Sequence, residues 1–211
     1  MEVIERSFLS QDWITLLFLL CFILIGLMKL YKPQLLLGYT IAFFSQGFIE
    51  KRAEKNPSIF TPFHILLYLF NSIIVSITIT VYFSKHREQN FLRFISLFAF
   101  IFVFLSTKLI LNYFLAHIFD IEKKIRYFLF TKSGYQYTLS IWLLPILVFY
   151  QYWYSNVTML LVFIALLLIF RVFLIIKNNK KLIFSNFFYF ILYFCTLELA
   201  PLLIIYKTTK I

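Results

Sequence analysis

Apolar runs of about twenty residues, separated by short basic segments, are the feature that most constrains the fold of this chain. A helix needs about 20 apolar residues to cross the ~30 Å hydrocarbon core of a bilayer, and every backbone group there must be hydrogen-bonded within the protein. The runs occupy 13–31, 62–84, 92–118, 138–154, 157–176 and 183–206. The pattern predicts an all-α polytopic membrane protein with six transmembrane helices, forming one integral membrane domain over residues 1–211.

Composition supports the same class and argues against others. Apolar residues make up 62% of the chain and charged residues only 14%, against about 25% charged in soluble domains. The net charge of +11 would suggest nucleic acid in a soluble protein. Here the basic residues lie between apolar runs, which is the pattern of cytoplasmic loops. The expected partner is therefore the lipid bilayer, and no nucleic-acid partner is predicted.

The distribution of Lys and Arg predicts the orientation. Of the eighteen that lie outside the six runs or within two residues of a run's end, twelve fall on the side that an alternating topology makes cytoplasmic. The first residues, MEVIERSFLSQDW, have neither a basic start nor a small-residue cleavage site, so the first run is expected to be a span and not a signal peptide. Both termini are predicted to lie outside the cytoplasm.

Two segments between the runs are predicted to lie on the membrane surface. Residues 33–50 are apolar but interrupted by Gly38, Ser45, Gln46 and Gly47. They predict an interfacial helix on the cytoplasmic face between spans one and two, with a re-entrant or crossing segment as the alternative. Between spans three and four, a helical period with basic residues on the other face predicts a second amphipathic helix; its apolar positions are Ile121, Ile125, Phe128 and Leu129.

Ionisable and amide side chains inside the runs are the candidate functional residues, because charges at membrane depth are costly and are retained for pairing or function. Lys108 lies ~18 Å from Asp120, Glu198 lies ~13 Å from Lys207, and Asn71 lies nine residues into span two. We predict an ion pair between Lys108 and Glu198 near the midplane, joined by Asn71. Arg171 either snorkels to the cytoplasmic headgroups or faces the bundle.

The predicted pair has two interpretations. It either fixes which helices meet, or it carries protons or cations as part of a relay. The sixth run also carries a polar face, formed by Asn186, Tyr189, Tyr193 and Thr196. Polar groups on that face, with Glu198 pointing roughly the other way, predict that the sixth run is enclosed by the bundle.

Enzyme and metal signatures are missing from the sequence. It has no HExxH, no phosphate-binding Gly-rich loop, no Ser/His/Asp set and no CxxC. Cys21 and Cys195 are single thiols inside apolar runs. No catalytic residue, metal or cofactor is predicted, and a lipid-modifying enzyme is disfavoured without being excluded.

The C-terminal pattern YFILYxCTLExxP, at Tyr189 to Pro201, resembles a flavobacterial family of integral membrane proteins of unknown function from Bacteroidota. The opening Asp12–Trp13 pair and Lys108 in the third span are similar to that family as well. The resemblance implies the inner membrane of a Gram-negative bacterium and implies no activity. The predicted role is a non-enzymatic accessory or scaffold subunit of a cell-envelope complex; the alternative is a small transporter or a proton- or cation-coupled channel using Lys108 and Glu198.

Overall fold

The computed structural model describes residues 12–45, 47–54, 61–83, 91–118, 122–153 and 156–178. Within these ranges the chain forms seven α-helices and no strand. The helices are α1 (Asp12–Tyr31), α2 (Pro33–Ile41), α3 (Phe48–Glu54), α4 (Pro62–Phe83), α5 (Phe91–Ile118), α6 (Glu122–Tyr152) and α7 (Val157–Asn178). The all-α prediction is confirmed for this part of the chain.

Four of the helices are long and apolar enough to cross a membrane. They are Trp13–Tyr31 in α1, Pro62–Tyr82 in α4, Phe91–Leu111 in α5 and Val157–Lys177 in α7. These helices coincide within one or two residues with predicted spans one, two, three and five. The sixth predicted run, 183–206, lies outside the described residues.

Contacts between helix ends show that successive long helices run in opposite directions. Trp13 and Phe94, at the starts of α1 and α5, are in contact, with tilted rings whose centroids are 5.3 Å apart. Tyr152, at the end of α6, donates a hydrogen bond to Thr15 at the start of α1. The early residues of α4 and α6 meet at the opposite end of the bundle, where His64 packs on Phe130.

We call this second end the basic end, because exposed lysines collect there. It is where α1, α5 and α7 finish and where α4 and α6 begin. Its exposed cations in the described ranges include Lys29, Lys32, Lys51 and Lys177. The alternation of direction agrees with the alternating topology predicted from the apolar runs.

Helix α6 is the centre of the bundle, with contacts to α2, α3, α4, α5 and α7. It runs without a break from Glu122 to Tyr152, through Pro145. The sequence predicted a surface helix followed by a separate span at 138–154, and the structure joins the two. Its polar residues are compatible with a buried helix because their hydroxyls bond back to carbonyls one turn earlier, as Thr138 does to Gly134 at 3.0 Å. Enclosure by five neighbours explains why α6 is the least apolar of the long helices.

The prediction of one interfacial helix at 33–50 is corrected by the structure. The segment forms a hairpin of two short helices, α2 and α3, joined by a turn that includes Gly47 at a φ of 92°. Both helices pack on α6, and Leu36, Tyr39, Ile49 and Ala53 are buried. The nine residues of α2 extend only ~13 Å, so α2 alone is too short to cross a ~30 Å core.

The hairpin extends some way along α6. Phe130 of α6 packs on His64 at the basic end, whereas Trp142 donates a hydrogen bond from its indole Nε1 to the Thr40 carbonyl at 3.0 Å. These two α6 residues are twelve positions, or ~18 Å of helix, apart. The tip is held further by edge-to-face rings, Phe44 on Trp142 and Phe43 on Phe170.

Candidate functional site

A buried polar seam joins α4 to α6 in the middle of the bundle. Asn71 is only 2% exposed. Its Oδ1 accepts hydrogen bonds from Ser140 Oγ at 2.6 Å and from Gln136 Nε2 at 3.3 Å. A buried amide without partners costs about 1–3 kcal/mol, so these bonds specify which faces of α4 and α6 meet. Asn71, one of the site residues predicted from the sequence, therefore accepts hydrogen bonds from two side chains of α6.

The seam continues along α4 and reaches α5. Ser72 and Ser76 are buried, and each donates a hydrogen bond to the carbonyl four residues earlier. Tyr68 donates to the Phe102 carbonyl at 3.1 Å, and its hydroxyl lies 2.8 Å from Ser106 Oγ. These bonds satisfy polar groups inside an otherwise apolar pair of helices, as membrane helices require.

Lys108 lies on α5 and is partly buried. The Tyr68–Ser106 contact sets the register of the antiparallel pair α4 and α5. Along the helix axes, Lys108 lies ~3 Å nearer the basic end than Ser106 does. Asn71 lies ~4.5 Å farther from the basic end than Tyr68 does. Tyr68 is therefore nearer than Asn71 to the level of Lys108. The predicted grouping of Asn71 with Lys108 and Glu198 stays a prediction.

Arg171 is partly buried on α7, and its Nε is enclosed by protein. Its neighbour Phe170 packs on Phe43 at the tip of the hairpin. The remaining sequence-predicted site residues lie outside the described residues; they are Glu198, Asn186, Tyr189, Tyr193 and Thr196. The predicted Lys108–Glu198 pair thus stays a prediction.

A second polar cluster lies where the hairpin meets the start of α4. The imidazole of His64 has Thr61 Oγ1 at Nδ1 and the Tyr39 hydroxyl 3.3 Å from Nε2. A neutral ring with its proton on Nδ1 satisfies both contacts, because Nδ1–H then donates to Thr61 and Nε2 accepts from Tyr39. Phe63 and Phe130 pack edge-on against the same ring. The cluster ties α2, α4 and α6 together.

Tyr39 is the centre of this cluster and is 1% exposed. Burial raises the pKa of its hydroxyl to about 12, and the neighbouring Arg52 guanidinium, which also donates to that hydroxyl, opposes the rise. The Tyr39 hydroxyl consequently stays protonated at neutral pH. It is able to donate to His64 while accepting from Arg52.

The charges of α3 are divided between two directions. Glu50 accepts a hydrogen bond from the Tyr135 hydroxyl at 2.8 Å, and both Glu50 and Glu54 act electrostatically on Tyr127. The two acids are one helical turn apart and so share a face, which is directed toward α6. Arg52 is instead directed toward Tyr39 and His64.

Two glycines allow the hairpin to pack this closely. A Cβ on Gly134 of α6 would lie 2.8 Å from Ile49 Cγ2, and a Cβ on Gly38 would overlap the Phe48 ring. Because neither glycine has a side chain, Ile49 and Phe48 of α3 pack directly on the backbones of α6 and α2. The charged residues of α3 are thereby brought among buried groups.

Comparison with known proteins places the chain in a family. A family described as a domain of unknown function, DUF4271, matches residues 14–209. The chain belongs to this family. None of the curated proteins and none of the solved structures matches it. The DUF4271 match covers all seven described helices except the first two residues of α1.

Sequence reasoning missed the hairpin cluster of this DUF4271 protein. His64, Glu50 and Arg52 were not among the candidate functional residues predicted from the sequence. The sequence signal that could have indicated this cluster is the position of three glycines, Gly38, Gly47 and Gly134. A chain with 4 glycines in 211 residues uses three of them in or against one hairpin, which indicates close backbone packing there.

The chemistry available in the described part of the DUF4271 fold is hydrogen bonding and charge. Within the described ranges, no three His, Cys, Asp or Glu side chains are grouped to hold a metal ion. The Asn71 seam and the His64 cluster both orient dipoles inside an apolar bundle. Both fix helix positions, and both offer polar surroundings to an ion or a proton.

Proposed function

We propose that this DUF4271 protein is a multi-pass inner-membrane subunit of a Gram-negative bacterium of the Bacteroidota, with a non-enzymatic accessory or scaffold role in a cell-envelope complex. The observation that carries the proposal is the unequal burial of its apolar helices. Half of the apolar window of α4 is buried, against 11% for α5 and 11% for α7. Faces this apolar are solvated by lipid or covered by other membrane helices.

The proposed membrane arrangement has six spans, with α6 supplying the fourth and residues 183–206 the sixth. The basic end faces the cytoplasm, and both termini are periplasmic. The α2–α3 hairpin enters from the cytoplasmic face and returns to it. Its turn is compatible with membrane depth because irregular backbone is tolerated there when protein covers it, and α6 and α7 lie against that turn.

The test is quantitative purification of the tagged protein from its native membranes in a mild detergent. We expect at least one membrane protein to co-purify in constant stoichiometry. A Trp substitution on a lipid-facing surface is tolerated, whereas in a packed helix interface it forces the helices apart. Ile110→Trp on α5 and Ile169→Trp on α7 change residues that are 69% and 71% exposed.

One of these two variants should release the partner while remaining folded. Leu16→Trp on α1, at a residue 65% exposed, is the matched control for a bulky apolar change on another surface. A protein that purifies without any stoichiometric partner contradicts the accessory role. Loss of the partner in all three variants would indicate general destabilisation.

A transporter or proton-coupled channel is the second candidate, and the Asn71 seam is the observation that favours it. Hydroxyl and amide groups from α4, α5 and α6 line up through the middle of the bundle, and Lys108 lies beside them on α5. Polar groups buried in spans often mark ion or proton pathways. In this proposal Lys108 and Glu198 supply the charges.

Glu198→Gln, alone and with Lys108→Met, distinguishes the two roles of that pair. A structural pair predicts less folded protein for the single variant, because a lysine is left unpaired in the membrane, and recovery in the double variant. A relay predicts normal folding of both variants with loss of proton or cation flux into liposomes. Normal folding together with normal flux in both variants contradicts either role.

A further inference from the structure

An apolar groove lies between α1 and the end of α6. It is lined on α1 by Phe18, Leu19, Phe22 and Ile23 and on α6 by Val148, and its volume is about 480 Å³. Ligand pockets have volumes of about 300–1,000 Å³ and are mostly apolar, with a few polar groups that orient the ligand. The size and lining of this groove are therefore those of a site for an apolar ligand.

The hairpin limits the length of the groove. Helix α2 packs on both α1 and α6, and the tip of the hairpin reaches Trp142. Ten residues of α6, or ~15 Å, separate Trp142 from Tyr152 at the far end. The hairpin thus occupies the half of the α1–α6 interface nearest the basic end, and the groove occupies the other half. Half of the ~30 Å hydrocarbon core is the depth of one leaflet.

Two hydroxyl groups mark the mouth of the groove. Thr15 and Tyr152 line it at the end away from the basic end, and the Tyr152 hydroxyl donates to Thr15 Oγ1 at 2.7 Å. Trp13 and the exposed Trp153 lie at the same end of the bundle. Trp and Tyr side chains collect at the level of the lipid headgroups. The groove therefore begins at the level of the lipid ester groups, whose carbonyl oxygens accept hydrogen bonds from hydroxyls, and extends into the core.

The shape of the groove fits a lipid chain better than a membrane-spanning helix. A helix that crosses the whole core needs a groove of the same length, and the hairpin occupies half of that length. An acyl chain of one leaflet needs only the other half. The groove is also continuous with the exposed apolar surface of α1 at Leu16 and Leu20, so a chain has access from the bilayer.

We propose that the groove holds one acyl chain of a phospholipid from the leaflet away from the basic end, with its ester group at Thr15 and Tyr152. Side chains of two helices contact the chain in the groove, whereas a lipid on a convex helix face is contacted from one side. Dispersion contacts add up over many atoms, so this lipid is retained when other lipids are washed away. The proposal goes beyond the accessory or transport role and depends on neither.

Photo-crosslinking of the purified full-length protein tests the proposal. The photoreactive amino acid p-benzoylphenylalanine replaces Phe22 in the groove or, as the matched control, Phe100 on α5; these residues are 55% and 62% exposed. Since Trp13 and Phe94 are in contact, nine residues from Trp13 and six from Phe94 place the two probes within ~5 Å of one depth. The protein is washed extensively in a nonionic detergent and illuminated, and its intact mass is measured.

We expect a phospholipid adduct at position 22 and none at position 100. The absence of an adduct at position 22 overturns the proposal, and so do equal adducts at both positions, because the groove then retains lipid no better than an open helix face. A crosslink from position 22 to another segment of this chain or to a second protein overturns it as well, since protein then covers the groove.

A bulky side chain in the groove should displace the lipid. Leu19→Trp should lower the adduct yield at position 22 by at least about tenfold, because the displaced methylene groups lose their apolar contacts. Leu20→Trp is the control; Leu20 is exposed beside the groove without lining it, and the yield should change by less than about twofold. An unchanged yield in Leu19→Trp, or an equal loss in Leu20→Trp, overturns the proposal. If Leu19→Trp does not fold, Ile23→Trp tests the groove in its place.

Discussion

At Gly47 the chain turns from α2 into α3 with a φ of 92°. Side chains other than glycine reach such angles at a cost of about 1–2 kcal/mol. Gly47→Ala should therefore lower the free energy of unfolding by about that amount, measured by chemical unfolding in detergent. Gly26→Ala is the matched control, because nothing lies within 4 Å of the Cβ it would add. A larger loss in the control would refute the assignment of strain to Gly47.

Asn71 makes a second residue-level prediction. Asn71→Leu removes the acceptor of the Gln136 side-chain amide. The Ser140 hydroxyl keeps an alternative acceptor, the backbone carbonyl of Gln136 at 3.1 Å. The expected loss is about 1–3 kcal/mol, because the Gln136 amide is left unsatisfied.

Replacing both amides tests that explanation of the Asn71 effect. Asn71→Leu with Gln136→Leu should recover much of the stability, since removing both partners is nearly neutral. Folded protein is quantified by fluorescence-detected size exclusion after heating. If the stability losses of the two single variants simply add, the Asn71–Gln136 hydrogen bond does not specify the contact between α4 and α6.

At the scale of elements, α3 packs on α6 through the Ile49 side chain, which lies against the backbone of Gly134. Gly134→Ala puts a methyl group 2.8 Å from Ile49 Cγ2, so we expect a loss of about 1–3 kcal/mol from overpacking. Ile49→Ala removes the atoms that clash but leaves a cavity. In a double-mutant cycle of unfolding free energies, the two changes together should cost less than their sum. Strict additivity would mean that the residues do not touch.

A hydrogen bond from Trp142 helps to anchor the hairpin tip to α6. Trp142→Phe keeps an aromatic ring for Phe44 but removes the Nε1 donor to the Thr40 carbonyl. We expect a loss of about 1 kcal/mol and faster amide hydrogen exchange confined to residues 40–48. Tyr152→Phe, which removes an exposed hydrogen bond far from the tip, should leave exchange in that segment unchanged. Faster exchange throughout α6 would contradict a local anchor.

At the scale of the whole molecule, opposite ends of the bundle should face opposite compartments. In a background with Cys21→Ala and Cys195→Ala, Lys51→Cys marks the basic end and Arg93→Cys the other end; both positions are exposed. A membrane-impermeant maleimide added to cells with a permeabilised outer membrane should label Arg93→Cys at once. It should label Lys51→Cys only after the inner membrane is broken. The reverse result would invert the proposed topology.

The sequence determined the helices that meet lipid. The bounds of α1, α4, α5 and α7 were predictable within one or two residues because apolar length alone defines a helix that lipid can solvate. The alternation of direction followed from the same runs and from the short segments between them. Helix bounds and direction are local properties, which depend on the residues of each run and not on the helices that pack against it.

Only the tertiary structure decided the rest. That α6 is one continuous central helix, that residues 33–54 fold into a hairpin, and that Tyr39, His64 and Arg52 meet all depend on side chains from distant parts of the chain. A polar residue in a run has the same sequence signature whether it faces lipid, water or another helix. Its hydrogen-bond partner lies far away in the sequence, as Ser140 lies 69 residues from Asn71. Only the packing of the helices brings the two together, because each buried polar group needs a partner from another helix.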